Sequence, residues 1–229
     1  MPQFRFFPLQ NAHQAKGAVI VIDVLRAFTT AAFAFDAQAK KIHPVASVDE
    51  ALMLRNLMSG SVVMGEIGGD KPEGFDLGNS PAEVQACDLS GKIIIQRTSA
   101  GTQGLVRAVN AQYLLAASFV VATATAAHIR NLNPDIVSFI VTGQSLGRDG
   151  DEDRACGEFI QILVEGSRPD PQPFIERVKQ STAGKSFMSD ENNNNLSTDY
   201  AMSIQVDRFS FSLPVYRDGD RLAMYRKNL

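Results

Sequence analysis

The chain is short of cysteine and histidine, with two of the first and three of the second in 229 residues. Cys87 and Cys156 cannot build a disulfide framework for a chain this long, and no Cys-x-x-Cys pair points to zinc. His13, His43 and His128 share no metal-ligand spacing and read as structural or surface residues. No apolar run approaches the roughly 20 residues that a membrane-spanning helix needs. Met1–Phe7 lacks the charged start and long apolar stretch of a secretory signal. Dense Lys/Arg blocks are also missing and the formal net charge is −3, so the basic stripe of a nucleic-acid binder is not there. These absences predict a reduced, cytoplasmic protein with no nucleic-acid or membrane partner.

What is present is an ordinary globular composition, 45% hydrophobic and 21% charged, enough to bury a core. Ala18–Ile22 is a short β-branched run, the pattern of a strand buried on both faces. Val24–Ala37, rich in Ala and Phe, predicts a mostly buried helix. Further strands are expected at Lys41–Val45, Ser61–Met64, Lys92–Gln96, Tyr113–Ala116 and Ile136–Val141. Helices are expected at Ala51–Met58, after a capping box of Ser47 and Glu50, and at Gln103–Val109, Ala122–Leu132 and Glu152–Glu165. Ser80, Pro81 and Glu83 mark another helix start. About five strand–loop–helix units before residue 166 argue for an α/β sheet with helices on its faces. Their polar loops should then gather on one rim, beyond the carboxyl ends of the strands.

The reading is one domain over residues 1–229, with a C-terminal subregion expected from about 167. Ser167–Pro173 reads as a linker or surface crossing, and Asn192–Asn195 as an exposed loop tip. Phe209–Tyr216 and Arg221–Tyr225 flank the hairpin signal Asp218-Gly219 and are expected to extend or cover the sheet.

Four loops carry the polar chemistry. In the first, Asp23 ends a buried strand with Arg26 one turn later. Capping the next helix and catalysis are equally good readings of Asp23. An aspartyl-phosphate route is disfavoured, because Leu25 stands where the partner Asp would be. The second, Gly65–Pro81 (GEIGGDKPEGFDLGNSP), offers Glu66 and Asp76 as ligands for a hard cation. It also places Asn79 and Ser80 at a helix N-terminus that favours an anion. The third, Arg97–Thr102 (RTSAGT), presents the Arg97 fork with Thr98, Ser99, Gly101 and Thr102, though without the pattern of a nucleotide P-loop. An ordinary turn with Thr caps explains it equally well. A further loop, Gly143–Gly157, contributes Arg148, Glu152 and Asp153. Its acids lack calcium-loop spacing, and two of them open a helix, where the dipole favours them. Cys156 on that helix reads as a small core residue.

Taken in order, IDVLRAFTT (Ile22–Thr30), GEIGGDKPEGFDLGNSP, RTSAGT, EDRACG (Glu152–Gly157) and VDRFSFSLP (Val206–Pro214) closely resemble the 2-phosphosulfolactate phosphatase family, the ComB-like proteins. The likeness spans nearly the whole chain, and GFDLGNSP is its most specific piece. It implies a three-layer α/β fold with a central, largely parallel or mixed sheet. It also implies Mg²⁺-dependent hydrolysis of 2-phospho-3-sulfolactate to sulfolactate and phosphate, in archaea a step toward coenzyme M. Three motifs depart from the family's usual residues: Ile67 stands for Arg, Ala100 for Asn, and Gly157-Glu158 where Ala-Gly often follows Cys.

The expected mechanism gives Mg²⁺ to Asp23 and Glu66, with Asp76 beside them. Arg26, Arg97 and amides near Gly101 would neutralise charge in transfer, helped by Arg148. Thr98, Ser99, Thr102, Asn79 and Ser80 would position the phosphate, and Glu152 or Asp153 would serve as a second ligand or general base. A homodimer is expected, dimers being the commonest oligomer. Two rivals stand beside this reading: a cysteine hydrolase using Cys156 with Asp23 as base, and a non-catalytic anion-binding paralogue.

Overall fold

The computed structural model describes residues 1–144, 148–189 and 194–228. β1 (Gln3–Pro8) leads into β2 (Gly17–Ile22), α1 (Ala27–Asp36), β3 (Lys41–Pro44), α2 (Val48–Leu57) and β4 (Val62–Gly65). The long Gly-rich loop follows, then α3 (Pro81–Gln85), β5 (Ile93–Arg97), α4 (Gly101–Arg107), β6 (Ala111–Ala117), α5 (Ala122–Leu132) and β7 (Ile136–Val141). The rest is α6 (Asp151–Val164), α7 (Gln172–Gln180), α8 (Thr182–Ser189), α9 (Asn194–Ser203), β8 (Phe211–Asp218), β9 (Arg221–Met224) and β10 (Lys227–Asn228).

Local chemistry accounts for several boundaries. Ser47 Oγ accepts the Glu50 amide at 3.1 Å and Glu50 reaches back to the Ala46 amide at 2.9 Å, so the capping box forms. Ser80 Oγ accepts the Glu83 amide at 3.2 Å and caps α3. α5 ends on Asn133 at φ 45°, in the left-handed region, just before Pro134.

The sheet runs β1-β7-β2-β6-β8-β9-β3-β5-β4, with β10 against β8. β1, β7, β2 and β6 are mutually parallel, as are β3, β5 and β4. Between the two blocks lie β8 and β9, antiparallel to each other and to both neighbours. Two expectations are corrected here. The C-terminal hairpin neither extends nor covers the sheet but joins its halves. The two parallel blocks also run in opposite directions, so their loops do not share one rim by strand direction alone.

Curvature brings the loops together. Every residue of α1 from Ala27 to Phe35 is buried. Its core cluster takes Val19 and Val21 from β2, Ile42 from β3, Met64 from β4, Ile94 from β5, Leu213 from β8 and Met224 from β9. A flat sheet does not offer so many strands to one helix; this one, twisted as sheets are, curls around α1. α3 and α4 share that inner side. On the outer side α5 and α6 pack on Ala18, Ile20 and Ile22, while α2 packs on Val63 and Ile95. The alternation of Val19 and Val21 with Ala18, Ile20 and Ile22 shows β2 buried on both faces, as its sequence predicts. The result is a three-layer α/β arrangement with a mixed sheet.

Two further segments differ from expectation. β1 lies at the sheet edge and was concealed by its mixed composition. Past the predicted linker, Ser167–Pro173, whose end already starts α7, the chain forms α7, α8 and α9. Of the Asn run, Asn192 and Asn193 fall outside the described residues, while Asn194 begins α9 and is not a loop tip. Among the described residues no helix is long and apolar enough to cross a membrane.

Candidate active site

Asp23 follows the last residue of β2 and is 6% exposed. Its Oδ1 accepts the Ala27 amide at 2.9 Å, so it caps α1. Its Oδ2 faces α4: a Cβ on Gly101 would lie 2.8 Å from that oxygen and 2.6 Å from the Ala27 Cβ. Only glycine lets the loop after β5 approach so closely. Burial raises the Asp23 carboxyl to about 6, the charge of Glu66 adds to this, and Arg148 opposes it.

Asp153 and Glu152 open α6 on the neighbouring loop, both buried. Asp153 Oδ1 accepts the Val24 amide at 2.8 Å, and Oδ2 accepts the Gly143 amide at 2.7 Å and Thr142 Oγ1 at 3.2 Å. It therefore stitches the loop after β2 to the loop after β7. Burial holds its carboxyl well above the usual range, with Glu152 and Asp23 adding repulsion. A Cβ on Gly143 would lie 2.2 Å from Glu152 Oε1, so that glycine makes room for the carboxylate. Glu152 Oε2 is buried without a hydrogen-bond partner. Its carboxyl is raised mainly by burial, then by Asp149 and Asp23.

Glu66 comes from the opposite block, at the end of β4. It accepts the Ser99 amide at 2.6 Å, Ser99 Oγ at 3.0 Å and the Gly69 amide at 2.8 Å. Arg97 Nη1 donates to the Glu66 carbonyl at 2.8 Å, and Arg97 Nε is buried without a partner. Thr98 and Thr102 turn inward: each hydroxyl accepts the other residue's amide, at 2.9 and 3.0 Å. They cap the start of α4, which is the Thr-cap alternative weighed above. They shape the loop and do not offer those hydroxyls to a ligand.

Two arginines stand on the loops that carry these acids, Arg26 after β2 and Arg148 after β7. Arg26 pairs with Asp199 of α9 through Nη1. The other Asp199 oxygen accepts Ser80 Oγ at 2.7 Å and the Ala82 amide at 3.1 Å. Ser80 thus serves as cap and as partner of Asp199, while the neighbouring Asn79 Oδ1 is buried and unpartnered. Arg148 is exposed, and its charge reaches Asp23.

One expected ligand stands apart. Asp76 Oδ1 pairs with Arg55 at 2.7 Å and Oδ2 accepts the Val63 amide at 2.8 Å. Val63 stands three residues before Glu66, roughly 10 Å along an extended strand. The structure thus places Asp76 as a loop anchor away from the other carboxylates. Cys156 is fully buried in the outer core, and burial pushes its thiol well above its ordinary value. A thiol so placed is neither ionised nor reachable, which argues against the cysteine route. Sequence reasoning missed Asp199, Thr142 and Gly143; the last two flank a strand end that the alternation had located.

The donor set fits a hard divalent cation. All its ligating atoms would be oxygens, three of the carboxyls are destabilised by burial and mutual repulsion, and Glu152 Oε2 lacks a partner. Among the described residues no three acidic, His or Cys side chains are placed to hold a metal ion by themselves. Mg²⁺ needs none, since it commonly takes one or two carboxylates and fills its shell with water and phosphate oxygens. A separate cavity of about 320 Å³ opens where β6 and β8 splay past Leu114 and Val215, lined by Tyr113, Tyr216 and Leu222. None of the site residues above lines it.

Comparison with known proteins matches residues 7–218 to the family described as 2-phosphosulpholactate phosphatase. A probable 2-phosphosulfolactate phosphatase of Carboxydothermus hydrogenoformans is 42% identical over 160 residues, 70% of this chain and 66% of that protein. The matched part is thus about two thirds of that relative's length. Proteins of the same printed name from Bacillus subtilis and Thermus thermophilus are each 37% identical, over 73% and 71% of this chain and 73% and 70% of their own. With the family matched over most of its length, and with the loops that carry the resemblance gathered into one site, the chain belongs to the 2-phosphosulpholactate phosphatase family.

Proposed function

We propose that this chain is a Mg²⁺-dependent phosphatase. It hydrolyses the phosphate ester of 2-phospho-3-sulfolactate, or a closely related small anionic ester, to the alcohol and inorganic phosphate. One observation carries the reading: buried carboxyls under mutual repulsion at Asp23, Glu152 and Asp153 sit on loops that also present Arg26 and the start of α4. Such acids call for a cation, and such a cation with arginines nearby calls for a polyanion. The family match and the relatives' printed names support the same substrate.

Asp23, with Glu66, would hold the metal. When bound, Mg²⁺ polarises phosphoryl oxygens and lowers the pKa of bound water. The chain's own residues do the rest. Arg26 and Arg148 neutralise charge on the phosphoryl oxygens. The amides at the start of α4, set by the Thr98–Thr102 pair, orient the group. Asp153 holds the loops after β2 and β7 in register. A carboxyl that Mg²⁺ leaves free, Glu152 being the best placed, takes a proton from the attacking water. The proton that Glu152 takes passes to the ester oxygen as its bond to phosphorus breaks, so one water is consumed and the alcohol and phosphate are released. The proposal includes a homodimer working in a reducing cytoplasm, in keeping with two unpaired cysteines.

The test is a screen of small phosphate esters, 2-phospho-3-sulfolactate among them, with Mg²⁺ and with chelator. Turnover of a sulfonated or carboxylated ester that chelation abolishes is expected. Phosphate-ester binding without turnover on any ester would favour the non-catalytic paralogue.

A further inference from the structure

We propose that Asp199 is the positioning residue for Arg26, and that α8 and α9 thereby belong to the active site. The inference rests on the phosphatase reading and extends it to a segment outside the loops that carried the sequence argument.

Asp199 is fully buried and its two oxygens do different jobs. One gathers Ser80 Oγ and the Ala82 amide at the start of α3; the other takes Nη1 of Arg26. From the adjoining helix α8, the Phe187 ring lies 5.0 Å from the Arg26 guanidinium carbon, within cation–π range. A buried ion pair is a poor stabiliser, because desolvation offsets most of its attraction. Folding alone would be served as well by apolar side chains here.

Orientation is what this pair supplies. Arg26 starts three residues after Asp23, beside a set of carboxylates short of counter-charge. A long side chain left to itself would fold onto those acids and neutralise them. Asp199 engages one nitrogen of a fork that has five N–H donors, and Phe187 supports its face. The fork is thus oriented and not consumed. Arg26 is kept apart from Asp23, leaving the acids for a cation and the remaining donors for an anion.

The test is Asp199→Asn in the full chain, which keeps an acceptor for Ser80 and Ala82 but removes the charge that holds Arg26. The expected result is a KM for the phosphate ester and a calorimetric Kd for inorganic phosphate that both rise about tenfold, the scale of one charge-assisted hydrogen bond. kcat should change less than about threefold. In an Arg26→Ala background the same change should add almost nothing. If Asp199 merely neutralised Arg26, both constants would tighten. If its role were only structural, they would stay put while thermal stability fell, or the losses in the double variant would add. Any of these results overturns the proposal. Should no ester turn over, the phosphate Kd decides alone, and the missing turnover counts against the phosphatase reading instead. If the Asn variant does not fold, side-chain NMR of wild-type Arg26 decides. Resolved, slowly rotating guanidinium signals without ligand are expected, and an averaged signal overturns the proposal.

Discussion

The wall of the site at Asp23 is built from like charges, and the wall at Arg26 from opposite charges that hold one another. Asp23, Glu152 and Asp153 are all buried; Asp23 raises the pKa of both others, and Glu152 raises that of Asp153. The partly buried Arg26 and the buried Asp199 hold one another, with Ser80 and Ala82 completing the partners of the acid. The first wall is unstable until something positive arrives; the second is held in place as folded, with the remaining Arg26 donors left for an anion. This difference separates a wall that awaits a cation from a wall set in advance to meet an anion.

The largest effect should come from Asp23→Asn. Turnover is expected to fall by about 10²–10⁴-fold, the usual range for losing a catalytic proton or charge role. Yet the metal-free protein should become more stable, because a desolvated and repelled carboxyl is gone. Thermal unfolding beside steady-state kinetics checks both directions. Loss of stability along with activity would make the acid wall no different from the basic one.

Next comes Gly101→Ala. Its Cβ would meet Ala27 and Asp23 at 2.6 and 2.8 Å, so α4 must withdraw from Asp23. A stability cost of about 1–3 kcal/mol is expected, along with most of the activity, read from denaturant titration and kinetics.

The pH dependence of the metal-free protein sharpens the contrast further. Asp23 has its folded pKa raised to about 6 from 3.8, so the folded state binds the proton more tightly. Its contribution is fully present below about 3.8 and is lost as pH rises through about 6, on the order of 3 kcal/mol from end to end. The melting temperature of chelated protein should therefore fall between about pH 4 and 6, and Mg²⁺ should restore it at pH 7. A melting temperature that is flat in pH and unmoved by Mg²⁺ would remove the premise. His43 and His128, both lowered by burial, act with the opposite sign and lose stability as pH falls below about 6.5. The decline with rising pH thus belongs to the acids.

The smallest effect is Cys156→Ala. Activity should stay within about twofold, with a modest stability loss from a small core cavity. Loss of turnover there would revive the cysteine route.

How much of this was legible in the sequence follows the same divide. Asp23 and Glu66 stand just past short apolar strands, and Glu152 and Asp153 follow the loop after another, so alternation alone located most of the acid wall. Asp199 lies beyond a polar stretch with no strand signal, on a helix whose neighbours in space, Arg26 and Ser80, are more than a hundred residues away. Nothing local announces such a contact. Asp76 misled because the adjacent Phe75 does anchor the loop, but in a way that turns the carboxylate toward Arg55. Thr98 and Thr102 carry the right groups for a phosphate, yet the same hydroxyls close the turn. The curl was hidden as well, since it depends on a late hairpin inserting between strands already placed.

The most direct test of the acid wall is phosphate release from 2-phospho-3-sulfolactate across a Mg²⁺ titration, for wild type and Asp23→Asn. Saturable Mg²⁺ dependence in the wild type, with turnover and dependence both lost in the variant, is the predicted result. Unchanged turnover and unchanged Mg²⁺ dependence in Asp23→Asn would contradict the account.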